Sequence, residues 1–365
     1  MNTAKEHFHG SDLEKVEQIF GIKKEDIVSF GANVNPLGIS PMLRDNLASH
    51  IDAITSYPDR EYTDLRKAIS RYVGADFNRI MVGNGSTELI GLFIQIQNPK
   101  KAMLISPTYS EYEREILLSG GTCTYHFLQE EDDFHLNVDA LLSSLTSEYD
   151  LLIICNPNNP TSTIIPRPDM DRIVGTCKEL GIFVLVDETY IEFTQNMEAF
   201  TSIPLTDTYD NMVILRGISK FFASPGLRLG YAICNNPGLY EEMSKIKNPW
   251  TINSLAGVAG EIMFSDEAYI KASKEFTYEE RAYCLDRLEK MPYAKAFDSY
   301  GNFILVKISK DDLTSYGVFE ACIKKGFMIR DCADFAGLDD HFIRFCFMEH
   351  EHNEGLMDVL ETLLG

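Results

Sequence analysis

One lysine, Lys220, stands in the run Gly217-Ile218-Ser219-Lys220-Phe221-Phe222-Ala223-Ser224-Pro225-Gly226-Leu227-Arg228-Leu229-Gly230-Tyr231. An apolar segment, 211–215, leads straight into it. The run puts an amine a short reach from a hydroxyl (Ser219) and a fixed cation (Arg228). The amine can form a Schiff base with a carbonyl, and the other two are donors for a phosphate. Together these are the parts of a pyridoxal phosphate site. Such a site confines the chemistry to the bonds around an amino acid's α-carbon.

Other residues fit around that lysine. Asp187 follows the apolar run Ile182-Phe183-Val184-Leu185-Val186. An acid there can pair with the cofactor's ring nitrogen and keep it protonated, so that the ring takes up electrons. Asp187-Glu188-Thr189 also suits the N-cap of a helix. Tyr190, three residues on, is a candidate donor to the ring's phenolate oxygen. So is Asn159, in Asn156-Pro157-Asn158-Asn159-Pro160-Thr161, although a lone Asn-Pro is usually just a turn. In Gly83-Asn84-Gly85-Ser86-Thr87-Glu88 two glycines let the backbone approach an anion. Gly85, Ser86 and Thr87 are therefore candidate phosphate ligands, opposite Ser219 and Arg228. The plain alternative is a glycine turn before a capping box. Tyr109, after Ser106-Pro107-Thr108, either stacks on the ring or is a core aromatic.

Arg330 and Arg344 are candidates for the substrate's anions, because a guanidinium clamps a carboxylate or phosphate with two hydrogen bonds. Each lies on or beside an apolar strand, where an unpaired charge is costly. A structural ion pair is the competing reading. His7 and His9 form an H-x-H with no third ligand, so no metal is expected. His9-Gly10-Ser11 offers donors to an anion instead.

These residues need a frame that brings them together. Helices are expected over 65–72, 86–95, 109–118, 138–145 and 170–180. Strands are expected over 80–82, 102–105, 122–128, 151–155, 182–186, 212–215 and 231–234. Short, wholly apolar strands between helices indicate an α/β fold with a mainly parallel sheet covered on both faces. Ligands then sit beyond the strand C-termini. Asn156, Asp187 and Gly217 each follow such an end. After about residue 256 the pattern changes to a long helical stretch, 254–289. Strands at 303–308, 328–331 and 342–347 and helices at 318–325 and 354–364 follow. The expected organisation is a large cofactor-binding domain over 41–255 and a smaller α+β domain over 256–365. An N-terminal arm, 1–40, packs with the latter, because Asn33-Val34-Asn35-Pro36-Leu37-Gly38 is turn-rich.

Composition narrows the partners. The chain has 365 residues, 45% hydrophobic, with 33 Lys and Arg against 55 Asp and Glu. The net charge of −22 argues against nucleic acid and anionic membranes. The eight cysteines form no C-x-x-C and no zinc spacing, which fits a reducing cytoplasm. The N-terminus has no apolar core of a signal peptide, and no run approaches a membrane span.

Taken together, the sequence resembles the class I/II aminotransferase family of pyridoxal phosphate enzymes (fold type I), from the Asn33 arm to the C-terminal helix. Asn159-Pro160-Thr161, Asp187-Glu188-Thr189-Tyr190 and Ser219-Lys220 with Gly226-Leu227-Arg228-Leu229-Gly230-Tyr231 carry the resemblance. Within the family it is most similar to the threonine-phosphate decarboxylase branch of cobalamin biosynthesis, with histidinol-phosphate aminotransferases nearby. His9-Gly10, Tyr57-Pro58-Asp59, Pro249-Trp250-Thr251-Ile252-Asn253 and the stretch from Ile329-Arg330 to Gly337-Leu338-Asp339 carry that finer likeness. The resemblance implies that Lys220 holds the cofactor, Asp187 its nitrogen, and Asn159 and Tyr190 its phenolate oxygen, with Tyr109 on the ring. It implies a homodimer with shared active sites, in which Tyr57 reaches the other subunit's cofactor phosphate. Arg330 and Arg344 would hold the substrate, with Asn33 and His9 nearby. Three positions depart from the pattern. Gly217 stands where relatives carry Ser or Thr, Ser162 where they carry Gly, and Met348 where the decarboxylase branch tends to have a second Arg. Two reactions follow from this reading. Decarboxylation of an O-phosphorylated amino acid is the first expectation, and transamination is the alternative. A non-catalytic regulator is not expected, because no helix-turn-helix precedes the fold and the charge is negative.

Overall fold

The computed structural model describes Phe8 and residues 10–365. Seven strands form the main sheet: β1 (Ile80–Gly83), β2 (Lys101–Ser106), β3 (Thr122–Phe127), β4 (Leu151–Cys155), β5 (Phe183–Asp187), β6 (Met212–Gly217) and β7 (Gly230–Ile233). Their order is β1-β7-β6-β5-β4-β2-β3. Every neighbouring pair is parallel except the two that involve β7, which runs antiparallel between β1 and β6.

The apolar runs explain the layers. Leu152, Ile154, Val184, Val186, Met212 and Ile214 face one side, against Ile69, Leu141, Ile173 and Val174 of covering helices. Their alternate neighbours, Leu151, Ile153, Phe183, Leu185, Val213 and Leu215, face the other, against Leu89, Phe93, Ile116 and Met243. A strand buried on both faces has no polar alternation, which is why these segments are continuous apolar runs. Each such side chain contributes about 1.5–3 kcal/mol by leaving water. Only β3, at the edge, is partly exposed along its length.

A second sheet has the order Arg330–Asp331, Phe342–Cys346, Phe303–Ile308, Ala294–Ala296, all antiparallel. The strand Val28–Ser29 pairs in parallel with Phe327–Met328. Phe8, Val16 and Phe30 share a core with Ile304, Phe319 and Phe345.

Two expectations change in detail. The stretch 254–289 is two helices, Ser254–Met263 and Glu267–Glu289. Asp266 restarts the second by accepting from Tyr269 N at 3.1 Å. The strand expected at 328–331 is two strands in different sheets. Phe327–Met328 pairs with Val28–Ser29, while Arg330–Asp331 pairs with Phe342–Cys346. The change of partner sets Arg330 directly opposite Arg344.

Behind the strand ends lies a buried ion pair. Arg216 and Glu188 are almost fully enclosed and 2.8 Å apart. Arg216 Nη2 also donates to Thr201 Oγ1 at 2.8 Å, and Ser202 N donates to Glu188 Oε1 at 2.5 Å. Glu192 lies 3.8 Å from Arg216, and burial pushes its carboxyl up to about 7. Removing one partner of such a pair leaves an uncompensated buried charge. Arg216→Met is expected to cost roughly 3–5 kcal/mol, read as a lowered midpoint of urea unfolding. An unchanged midpoint would mean that the pair is not holding these two strands.

Candidate active site

A cavity of about 490 Å³ lies beyond the C-terminal ends of β1, β2, β4, β5 and β6. Ser86 and Thr87 enter it from the helix after β1, and Tyr109 from the turn after β2. Asn159 enters after β4, Asp187 and Tyr190 at the end of β5, and Ser219, Lys220 and Arg228 after β6. Asn33, Arg330, Arg344 and Met348 complete the opposite wall.

The sheet prepares one end of this cavity by what it omits. Gly83, Gly230 and Gly217 lie level on three adjacent strands. A Cβ on Gly230 would run into the backbone of Gly85 and Ser86. Gly85 has a φ of 79°, and a Cβ there would run into the Arg228 guanidinium. These positions leave a shallow, side-chain-free floor with backbone, hydroxyls and one cation around it. That is a cradle for an anion at a helix N-terminus. At Gly217 a Cβ would make ordinary contact with Ser86 Oγ at 3.6 Å, so the departure to glycine is not forced by space. Asn84 N donates to Glu88 Oε2 at 2.7 Å, so this glycine loop also opens its helix with a capping contact.

Lys220 sits under the N-terminal arm. Its Nζ donates to Ala32 O at 2.6 Å, and Asn35 N donates to Lys220 O at 3.0 Å. Asn35 itself is buried and donates to Phe221 O at 2.9 Å and Ser273 Oγ at 2.8 Å. No carboxylate lies within ion-pair distance of Lys220 among the described residues. Burial, and then the nearby Arg344 charge, push its ammonium down to about 8.

Asp187 both faces the cavity and closes a turn. Its Oδ1 accepts from Thr189 N at 2.9 Å and Thr189 Oγ1 at 2.6 Å, while Oδ2 accepts from Tyr112 OH at 2.7 Å. Burial raises its pKa, against the pull of these donors. Neither Tyr112 nor Thr189 is expected from the sequence as a hydrogen-bond partner of Asp187. Tyr112 lies three residues after Tyr109, which places the two on neighbouring faces of one turn. Their rings meet edge to face at 5.6 Å.

Arg344 is buried and has no carboxylate partner among the described residues. It holds Asn159 Oδ1 and, at 2.7 Å, Gly31 O. Its Nε has no partner among the described residues, and burial lowers its pKa. Asn159 is thus oriented with its oxygen on Arg344, leaving its amide N–H groups for another acceptor. Asn33 has a φ of 55°, donates to Tyr190 OH at 3.4 Å, and its Oδ1 is buried without a partner among the described residues. Arg330 is ion-paired to Asp334 at 2.6 Å. Ser162, at a φ of 60°, accepts from Gly301 N at 2.8 Å. That bond offsets the strain of a side chain in the left-handed region.

Among the described residues, two predicted site residues are not part of the cavity's lining, Gly85, which stands against the Arg228 guanidinium, and Tyr57. Tyr57 is 81% exposed and packs on Trp250 at 4.8 Å. His9 lies outside the described residues, although Gly10 and Ser11 line the cavity. The cysteines form no disulfide, and no helix among the described residues is long and apolar enough to cross a membrane.

The Tyr112 bond supports the charged form of Asp187, so its loss has a definite pH signature. Tyr112→Phe is expected to destabilise by roughly 1–3 kcal/mol at neutral pH. It should raise the already elevated Asp187 pKa further. The loss then appears only above that pKa and shrinks as Asp187 is protonated in acid. Urea unfolding of both proteins across the acid range measures it, and a loss independent of pH would exclude the coupling.

The sequence of residues 25–360 matches the family described as aminotransferase class I and II. A threonine-phosphate decarboxylase of Salmonella typhimurium is 32% identical over 98% of this chain and 96% of its own length. An adenosylcobalamin biosynthesis bifunctional protein of Leptospira interrogans is 34% identical over 97% of this chain, which spans 41% of that longer protein. The crystal structure of the histidinol-phosphate aminotransferase from Clostridium acetobutylicum superposes with a TM-score of 0.86 at 29% identity, covering 92% of this chain and 98% of the other. With its strand order, its lysine after β6 and its aspartate at the end of β5, the chain belongs to the class I and II aminotransferase family, in the fold of its pyridoxal phosphate enzymes.

Proposed function

We propose that this chain is a pyridoxal phosphate enzyme that decarboxylates an O-phosphorylated amino acid such as threonine or serine phosphate. The observation that carries the substrate class is the pair Arg330 and Arg344. They are opposed in neighbouring strands and both line the cavity. Like charges directly opposite one another are destabilising; Asp334 answers only Arg330, from the side, and a substrate with two anionic ends answers both. The relationship to a threonine-phosphate decarboxylase supports the same reading.

The donor set fits the cofactor. Gly85, Ser86, Thr87, Ser219 and Arg228 would hold its phosphate in the floor where side chains are absent. Lys220 would hold its aldehyde carbon, Asp187 would face its ring nitrogen, Asn159 and Tyr190 its phenolate oxygen, and Tyr109 its ring. Bound there, pyridoxal phosphate supplies an electron-accepting ring beside the substrate's α-carbon.

The chain's own residues do the rest. Arg344, already aligned by Asn159 and Gly31, binds the substrate carboxylate, and Arg330 the more distant anion. Lys220 Nζ, with its lowered pKa, moves a proton at the α-carbon. In decarboxylation it delivers the proton that takes the place of CO2. In transamination it removes one. The likeness to a histidinol-phosphate aminotransferase is what favours that second reading.

We read 41–255 as the cofactor-binding domain and 256–365, with the arm 1–40, as the smaller one. A homodimer with shared sites fits Tyr57, which stands exposed beside exposed Ile51 and Ile54. Tyr57 would reach the cofactor phosphate held by a second copy. Free buried thiols fit a reducing cytoplasm.

Two measurements test this. Holoenzyme incubated with phosphothreonine or phosphoserine should release CO2 without any keto acid, whereas strict dependence on 2-oxoglutarate would favour the aminotransferase. Separately, capture of pyridoxal phosphate by the apoenzyme needs the neutral amine, so its rate should rise with pH with a midpoint near 8. Arg344→Gln removes a cation that depresses Lys220, and the midpoint should move up. Growth of the bound cofactor's visible absorption reports both, and a midpoint unmoved in Arg344→Gln would exclude the charge coupling.

A further inference from the structure

Of the cations lining the cavity, Lys220, Arg228 and Arg344 have no carboxylate at ion-pair distance among the described residues. Arg330 has one. Its Nη2 donates to both oxygens of Asp334, at 2.7 and 2.6 Å, and its Nη1 holds the Phe8 carbonyl. The Arg330 side chain is 10% exposed and that of Asp334 36%. The guanidinium also lies over the Phe335 ring, 5.1 Å from its centroid. Arg330 and Phe335 line the main cavity and a smaller pocket of about 80 Å³ as well, and Asp334 lines only the smaller one. Asp334 therefore grips Arg330 from beside the cavity rather than from inside it.

We propose that Asp334 is an internal anion that competes with the substrate's distal anionic group for Arg330, and so sets the preference between phosphorylated and uncharged side chains. This rests on the reading of the cavity as the site of an anionic amino acid. A phosphate arriving at Arg330 carries a charge of about −1.5 to −2. It either takes Nη2 from Asp334 or binds elsewhere on the guanidinium, and in both cases it sits beside a carboxylate of like sign. An amino acid with a neutral side chain needs only Arg344 and leaves the Arg330–Asp334 pair intact. Asp334 is partly exposed, so it can turn out into water at small cost. The penalty on phosphorylated substrates is accordingly modest. It also lets a single site admit an uncharged side chain without stranding a bare buried cation.

The test is Asp334→Asn, which keeps the shape and removes the charge. It is made in holoenzyme, where the cofactor's own phosphate fills the glycine cradle. Inorganic phosphate binding is measured by calorimetry, together with KM for phosphothreonine and for unphosphorylated threonine. The variant should bind phosphate roughly two- to fivefold more tightly, with KM for phosphothreonine lowered by a similar factor and KM for threonine unchanged. Asp339→Asn, the same charge change in the same loop, should leave all three unchanged. Equal gains in both variants would make the effect one of bulk charge and overturn the proposal. So would equal shifts for both substrates, or no gain in phosphate affinity. If phosphothreonine is not turned over at all, the functional reading fails, while the phosphate titration still decides the role of Asp334. Should Asp334→Asn not fold, Asp334→Ser carries the same comparison.

Discussion

The site depends on an amine that the fold surrounds with protein and deprives of a counter-ion. Lys220 Nζ reaches one neutral acceptor among the described residues, the Ala32 carbonyl, and the cations that act on it are Arg344 and Arg228. Taking an ammonium out of water disfavours its charged form, and a neighbouring cation does so again. Both effects act in the direction that makes the amine nucleophilic and able to carry a proton near neutral pH. The cost falls on folding, since the unfolded chain gives the same lysine its full hydration. The arm answers part of that cost. Asn35 ties the backbone of Lys220 and Phe221 to Tyr269 and Ser273 with bonds that do not involve charge.

Holding that lysine correctly is a matter of strand direction. Because β7 runs against its neighbours, its first residue meets the last residues of β1 and β6, and Gly83, Gly217 and Gly230 come level. A parallel strand in that place would present its C-terminal end and a different residue. The anion cradle and the lysine loop are thus two consequences of one reversal, since the chain from Gly217 to Gly230 is the hairpin that makes the turn. The small residues at its corners are needed for close approach of backbone to backbone, which a Cβ at Gly230 would block.

Much of this was legible in the sequence because it rested on local patterns. Apolar runs announced the strands, and residues at their ends announced the cavity. What was not legible depended on partners distant in sequence. Nothing in 328–331 signals that the chain changes sheets at Ile329, because two short strands and one longer strand share the same apolar pattern. Yet that change is what opposes Arg330 and Arg344. Tyr112 read as one more helix residue, since its role lies in a bond to Asp187, 75 positions away. Asn35 stood in view in a turn-rich arm, but its four-way hydrogen bonding needed Phe221, Tyr269 and Ser273 to be placed first. Tyr57 resembled a cofactor ligand in the family pattern, and within one chain it stands in solvent.

The contrast between two buried arginines separates stability from function here. Arg216 and Arg344 both belong to apolar strands, and neither has appreciable contact with bulk water. Arg216 is fully answered, with Glu188 and Thr201 on its fork and Glu192 beyond. Arg344 is answered only by an amide oxygen and a backbone carbonyl, with its Nε left over. Had Arg344 served only to hold the second sheet to the first, a carboxylate opposite it would have answered its charge, as Glu188 answers that of Arg216. A chain with 55 acidic residues had ample means to supply one. The position opposite is occupied by another arginine instead. Neutral partners fix where the guanidinium points without cancelling its charge, which leaves it able to take an anion.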